Sequence, residues 1–122
     1  MFQGLRTVVM RAKDLEAAKA WYTRVLGAGP YFDTPYYVGF NVGGFELGLH
    51  PGGEDLWEGV DAITYWGVPD IDAALARLLE LGAKEHQPVQ DVGEGIRLAT
   101  VRDPFGTIVG IIQNPHFKIA NA

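Results

Sequence analysis

The chain has 122 residues, the usual size of one domain, and its 48% hydrophobic and 20% charged residues are the proportions of a globular protein rather than a disordered one. It contains no cysteine, which excludes a disulfide framework, a zinc-thiolate or iron–sulfur site and a thiol nucleophile. A net charge of −5 with no basic run removes the electrostatic footprint of nucleic-acid binding, and no stretch approaches the roughly 20 apolar residues of a membrane span.

Leu5 to Met10 reads as a strand. Asp14 then offers an N-cap, and Ala18, Trp21, Tyr22 and Val25 fall at i, i+3, i+4, i+7, the spacing of one apolar helix face that would put Trp21 and Tyr22 in the core. Gly27 stops that helix, because glycine takes the left-handed C′ conformation at little cost. Short strands follow near residues 30–33, 36–42 and 45–50, separated by Gly, Pro and Asp.

The pattern is then written a second time. Ala62 to Val68 reads as a strand, Pro69-Asp70 opens a helix with Ile71, Ala74, Leu75 and Leu78 on its apolar face, and Gly82 ends it. Strands near residues 84–90, 95–102 and 107–113 complete the second half. Asp14-Leu15-Glu16-Ala17-Ala18 matches Asp70-Ile71-Asp72-Ala73-Ala74, with the helix starts 56 residues apart. The turn Gly43-Gly44-Phe45-Glu46-Leu47-Gly48 matches Phe105-Gly106-Thr107-Ile108-Val109-Gly110. Two copies are too few for a solenoid and indicate an internally symmetric domain: module one 1–52, a linker 53–59 containing Trp57, module two 60–113 and a tail 114–122. The expected fold class is therefore α+β, with two βαβββ modules.

Such a duplicated chain resembles the vicinal oxygen chelate superfamily of glyoxalases, bleomycin resistance proteins and extradiol dioxygenases. The resemblance is most specific in Asp14-Leu15-Glu16-Ala17-Ala18 with Trp21-Tyr22 and Val25-Leu26-Gly27, and in the closing Asp103-Pro104-Phe105-Gly106-Thr107-Ile108-Val109-Gly110, similar to the family's Asp-Pro-Asp-Gly-Asn-x-x-Glu. It implies curved mixed sheets that enclose a cavity, and for short members a homodimer. It also implies one divalent ion held by His, Gln or Glu side chains from the first and last strand of each module. Carried over, those positions are Thr7, Gly48, Ile63 and Gly110. Glycine and isoleucine offer no donor and one threonine hydroxyl does not hold an ion. Glu46 and His50 share a strand face with Gly48 and form at most a partial site, and they read better as ordinary polar residues near a turn.

No other catalytic motif is present: the chain has no serine, hence no nucleophile elbow, and no phosphate-binding loop. Strand alternation instead assigns Thr7, Glu46, Gly48, His50, Ile63, Tyr65, Ile108 and Gly110 to the lining of an organic-ligand cavity, with the two glycines leaving space beside it. Tyr36, Tyr37 and Trp57 are further ligand candidates, although Trp57 could equally anchor the linker or a dimer contact, and Trp66 is expected in the core. The expectation is metal-independent binding of a small organic molecule by a homodimer, with no cofactor. The alternative is a lyase, isomerase or dioxygenase with an atypical site. The start of the chain lacks a charged region followed by an apolar run, so no signal peptide is expected and the cytoplasm is the expected location.

Overall fold

The computed structural model describes residues 1–53, 57 and 59–117. Their element order is β1 (Gly4–Arg11), α1 (Leu15–Leu26), β2 (Phe32–Asp33), β3 (Val38–Val42), β4 (Phe45–His50), β5 (Ala62–Gly67), α2 (Ile71–Glu80), β6 (Lys84–Asp91), β7 (Arg97–Arg102) and β8 (Ile108–Gln113). The fold is α+β, and each half is βαβββ, as the duplicated sequence requires. The described residues form two compact units, one of Thr7–Ala62 and one of Met1–Arg6 with Ile63–Phe117. The N-terminal residues thus belong with the second half. There Gln3 donates its backbone N–H to Gly67 at 2.7 Å, and the Phe2 ring stacks on Trp66 at 5.5 Å. Part of the linker and most of the tail lie outside the described residues. Among the described residues no helix is long and apolar enough to cross a membrane.

The strand order in the first unit is β2-β3-β4-β1 and in the second β6-β7-β8-β5, so both are mixed sheets built the same way. β1 runs parallel to β4, with Thr7 opposite Glu46 and Val9 opposite Gly48. β5 runs parallel to β8, with Tyr65 opposite Gly110. The remaining neighbours are antiparallel. Val9 with Gly48 and Tyr65 with Gly110 are equivalent pairs, so the repeat read from the sequence is also a repeat of hydrogen-bonding register.

The helices begin where their aspartates stand. Asp14 accepts from Ala17 N at 3.0 Å and Asp70 from Ala73 N at 3.2 Å, each satisfying an N–H with no partner inside the helix. Gly27 closes α1 in the left-handed region at φ 76°. Gln113 on β8 also accepts from Ile71 N at 2.9 Å, pinning the start of α2 to its own sheet. Asp103 accepts from Phe105 N and Thr107 N, both at 2.9 Å, and so shapes the last hairpin.

The apolar face of α1 differs from the one expected. Leu15, Ala18, Tyr22 and Leu26 pack with Met10, Val38, Phe40, Leu47 and Leu49, whereas Trp21 is 52% and Val25 56% exposed. Both sets satisfy a helical period and differ by a rotation about the axis. The sheet selects the set that includes Leu15 and Leu26. Trp21 instead packs edge-on to Tyr22, with ring centroids 4.8 Å apart. In the second unit α2 packs Ile71 and Ala74, with Leu75 and Leu78 at the margin, on Val68, Ala99 and Ile111. β2 is shorter than the expected 30–33, and β3 starts at Val38 rather than at 36.

Candidate functional site

One face of the first sheet is taken by α1, which receives Met10, Val38, Phe40, Leu47 and Leu49. Strand alternation turns Thr7, Val9, Arg11, Gly39, Glu46, Gly48 and His50 to the opposite face. Thr7, Glu46, Gly48 and His50 therefore do share a face, as expected from the sequence.

The centre of that face is the Glu46 carboxylate. Its Oε1 accepts from the Thr7 hydroxyl at 2.8 Å and from the Tyr37 hydroxyl at 2.7 Å, and its Oε2 accepts from the Tyr31 hydroxyl. Two glycines on adjacent strands make this possible, for Gly39 is the cross-strand partner of Gly48. A Cβ on Gly39 would stand 2.7 Å from Glu46 Oε2 and 3.2 Å from the Tyr31 ring. A Cβ on Gly48 would stand 2.6 Å from Tyr37 Cζ. The space expected beside Gly48 is thus filled by the Tyr37 side chain and is not left open.

Tyr37 reaches that position because the preceding turn is locked. The Thr34 hydroxyl accepts from Tyr36 N at 3.2 Å and Tyr37 N at 2.9 Å, and donates to Tyr37 O at 2.9 Å. Burial, then the Glu46 charge and hydrogen bond, hold the Tyr37 phenol well above its ordinary range. Burial, then the bond to Glu46 and its charge, do the same for Tyr31. Both tyrosines are therefore protonated donors at neutral pH and not bases.

His50 has a separate role on the same face. Its Nδ1 accepts from Gly52 N at 2.9 Å, and its ring lies 5.5 Å from that of Trp57. Trp57 is only 1% exposed, so it anchors the segment after β4 beside His50 and offers no surface to a ligand or partner. Tyr36, by contrast, is 77% exposed and makes no part of the Glu46 cluster.

In the second unit Ile63, Tyr65, Ile108 and Gly110 also share the face turned away from their helix, and all four are buried. A Cβ on Gly110 would stand against Tyr65 Cδ1 and 2.7 Å from Cε1 and Cγ of the same ring, so this glycine too is covered by an aromatic side chain. Burial pushes the Tyr65 phenol up to about 12. Trp66 is half-buried under Phe2 and is not deep in the core.

The sequence reading missed Tyr31 and Gly39. The available signal was the run Pro30-Tyr31-Phe32-Asp33-Thr34-Pro35-Tyr36-Tyr37, with four aromatic residues in eight just before a strand.

A sequence model of the Glyoxalase/Bleomycin resistance protein/Dioxygenase superfamily matches residues 4–111. The chain belongs to this superfamily. A mycobacterial relative, the protein CFP32 of Mycobacterium bovis, named as a glyoxylase, is 31% identical over 115 residues. The match covers 87% of this chain but only 44% of CFP32, so the chain spans less than half of that relative's length. A methylmalonyl-CoA epimerase from Streptomyces coelicolor, solved with 2-nitronate-propionyl-CoA, superposes with a TM-score of 0.74 at 14% identity, covering 97% of this chain and 99% of the epimerase. A superfamily member from Vibrio splendidus 12B01 superposes with a TM-score of 0.69 at 19% identity over 90% and 99% of the two chains. These identities show a shared fold only.

The superfamily's divalent ion does not fit the residues at its usual positions. The Thr7 hydroxyl is given to Glu46, the Gly48 position is covered by Tyr37, Ile63 is a buried hydrocarbon, and Gly110 lies under Tyr65. Among the described residues no group of three or more His, Asp or Glu side chains is placed to hold a metal. What the superfamily fills with metal ligands is filled here, in each unit, by a tyrosine over a glycine.

Proposed function

We propose that this chain binds a small organic molecule without a metal ion, on the face of the first sheet turned away from α1, around Glu46, and that it does so as a cytoplasmic homodimer. The observation that supports the reading most is the Tyr37 side chain lying over Gly48 with its hydroxyl on Glu46 at 2.7 Å. That side chain takes the space beside the usual ligand position and supplies a polar group and a ring in its place. An apolar surface with a few fixed polar groups is what orients an organic ligand. Thr7, Glu46, Tyr31 and Tyr37 are the polar groups, with Gly48 and His50 on the same face.

The test is a thermal-shift screen of aromatic metabolites and antibiotics on tag-free protein, with and without EDTA, beside elemental analysis. We expect a stabilising compound whose effect EDTA leaves unchanged, and no stoichiometric Mg, Mn, Fe, Ni or Zn. About one ion per subunit, lost on His50→Ala, or ligand stabilisation abolished by EDTA, would overturn the metal-independent reading.

A second reading is a lyase, isomerase or dioxygenase with an atypical site, of which isomerase has an observation in its favour. Glu46 is a partly exposed carboxylate beside two protonated phenols, a set able to accept a proton from a bound substrate and return one. Solvent-deuterium exchange into a screened ligand, abolished in Glu46→Gln, would select it.

A further inference from the structure

The Glu46 cluster satisfies hydrogen bonds but does not balance charge. Three hydroxyls meet the carboxylate, yet among the described residues no Lys, Arg or His forms an ion pair with it. The basic side chains of this unit that form ion pairs do so elsewhere. Arg11 faces Asp61 at 3.5 Å, and Lys19 bridges Glu16 and Asp33, each at 3.1 Å. A half-buried carboxylate without a counter-charge pays for desolvation that neutral hydroxyls offset only in part.

The surroundings suit one kind of counter-charge. Tyr31 donates to Glu46 while the residue as a whole is 64% exposed, and Phe32, next in sequence, is 48% exposed. The Phe32 and Tyr37 rings lie 6.2 Å apart at 58°. Aromatic faces beside a carboxylate attract cations through the ring quadrupole as well as through charge. A bare metal ion is a poor match, because Oε1 already accepts two hydroxyls that coordination would displace and among the described residues no group of three His, Asp or Glu side chains completes a site. An organic cation needs no such displacement: it can meet the charge over the ring faces and leave the three hydrogen bonds intact. The net charge of −5 favours the approach of cations over anions.

We propose that the ligand of this site is an organic cation, a protonated amine, amidine or quaternary ammonium group on an apolar body, seated with its charge toward Glu46 and its body against Tyr31 and Phe32. The inference rests on the small-molecule reading above and narrows its chemical class.

The test is an NMR titration of the ¹⁵N-labelled full chain with three probes of similar size: benzyltrimethylammonium, benzyl alcohol and benzoate, at matched ionic strength. The cation should shift amides of residues 31–48 and bind on the order of tenfold more tightly than either other probe, the scale of a cation–π contact joined to one charge. Glu46→Gln, which removes the charge while its amide oxygen still accepts and its amide N–H can donate to a hydroxyl, should lose about that factor, and Tyr31→Ala, at an exposed residue, should weaken binding in a chain whose other amides are unmoved. Equal binding of benzyl alcohol or benzoate at these amides, or full affinity in folded Glu46→Gln, would overturn the cation assignment and leave the small-molecule reading standing. Binding by no probe, or broadening of the same amides by micromolar Mn²⁺, would overturn both.

Discussion

Gly48→Ala sets two physical effects of opposite sign against each other. Gly48 is not among the residues with positive φ, so alanine suits its backbone, and the backbone effect alone would stabilise the chain by about 0.5–1 kcal/mol. The new methyl would stand 2.6 Å from Tyr37 Cζ and 2.9 Å from its Cε1, well inside the roughly 3.5–4.0 Å of a comfortable carbon contact. The ring must therefore move by about an ångström, and with it the hydroxyl that donates to Glu46 at 2.7 Å. Losing a hydrogen bond to a charged acceptor costs about 1.5–3 kcal/mol, and a displaced ring also loses packing. The net expectation, with the packing loss added, is a loss of about 1–3 kcal/mol, which for a chain of this length lowers Tm by roughly 4–12 °C. Thermal unfolding followed by circular dichroism measures it. The same substitution made in a Tyr37→Ala background should be neutral or mildly stabilising, because the obstacle is gone. Should Gly48→Ala melt at or above the parent temperature, Tyr37 does not occupy the space over Gly48 and the account of the site fails with it.

The helix phase predicts that Tyr22→Ala destabilises by about 2–4 kcal/mol while Trp21→Ala costs under about 1 kcal/mol, and denaturant melts giving the reverse order would restore the face expected from the sequence. Burial pushes the Tyr65 phenol from near 10 in the unfolded chain up to about 12, so its contribution is complete below pH 10 and is lost as pH rises from 10 to 12; absorbance at 295 nm should show the phenols of Tyr31, Tyr37 and Tyr65 ionising late, and ionisation of all five tyrosines near pH 10 would refute that burial. Light scattering at micromolar concentration should give the mass of a homodimer, and a monomer mass would remove that proposal.

Local signals made much of this fold legible. The caps at Asp14 and Asp70, the left-handed Gly27 and the turn at Asp103 each depend on residues within one turn of chain, and each stands where the sequence placed it. The phase of α1 was not legible, because Trp21 and Val25 satisfy the helical period as well as Leu15 and Leu26 do. Only the partner sheet chooses between them. The alternation of Thr7, Glu46, Gly48 and His50 was readable from period two, since a strand turns every second residue to one side. What fills the face was not, since Tyr31 and Tyr37 arrive from a connection whose path is set by the Thr34 turn and by a two-residue strand.

The two halves have solved one vacancy in different ways, and the difference locates the chemistry. In each, a glycine on the last strand stands where the superfamily usually places a metal ligand, and a tyrosine ring covers it. In the second half that tyrosine is Tyr65, the glycine's own cross-strand partner, on a face it shares with the buried Ile63, Ile108 and Ile112. In the first half the equivalent cross-strand partner is Val9, too short to cover Gly48, and the cover comes instead from Tyr37 in the preceding connection. A ring arriving from that side points its hydroxyl at Glu46, where the second half has Ile108, the residue two before its own glycine. One half has become packing and the other has kept a carboxylate with polar neighbours. On the small-molecule proposal, recognition falls to the first half, so substitutions at Ile108 or Tyr65 are expected to lower Tm without changing which compound of the thermal-shift screen stabilises the chain.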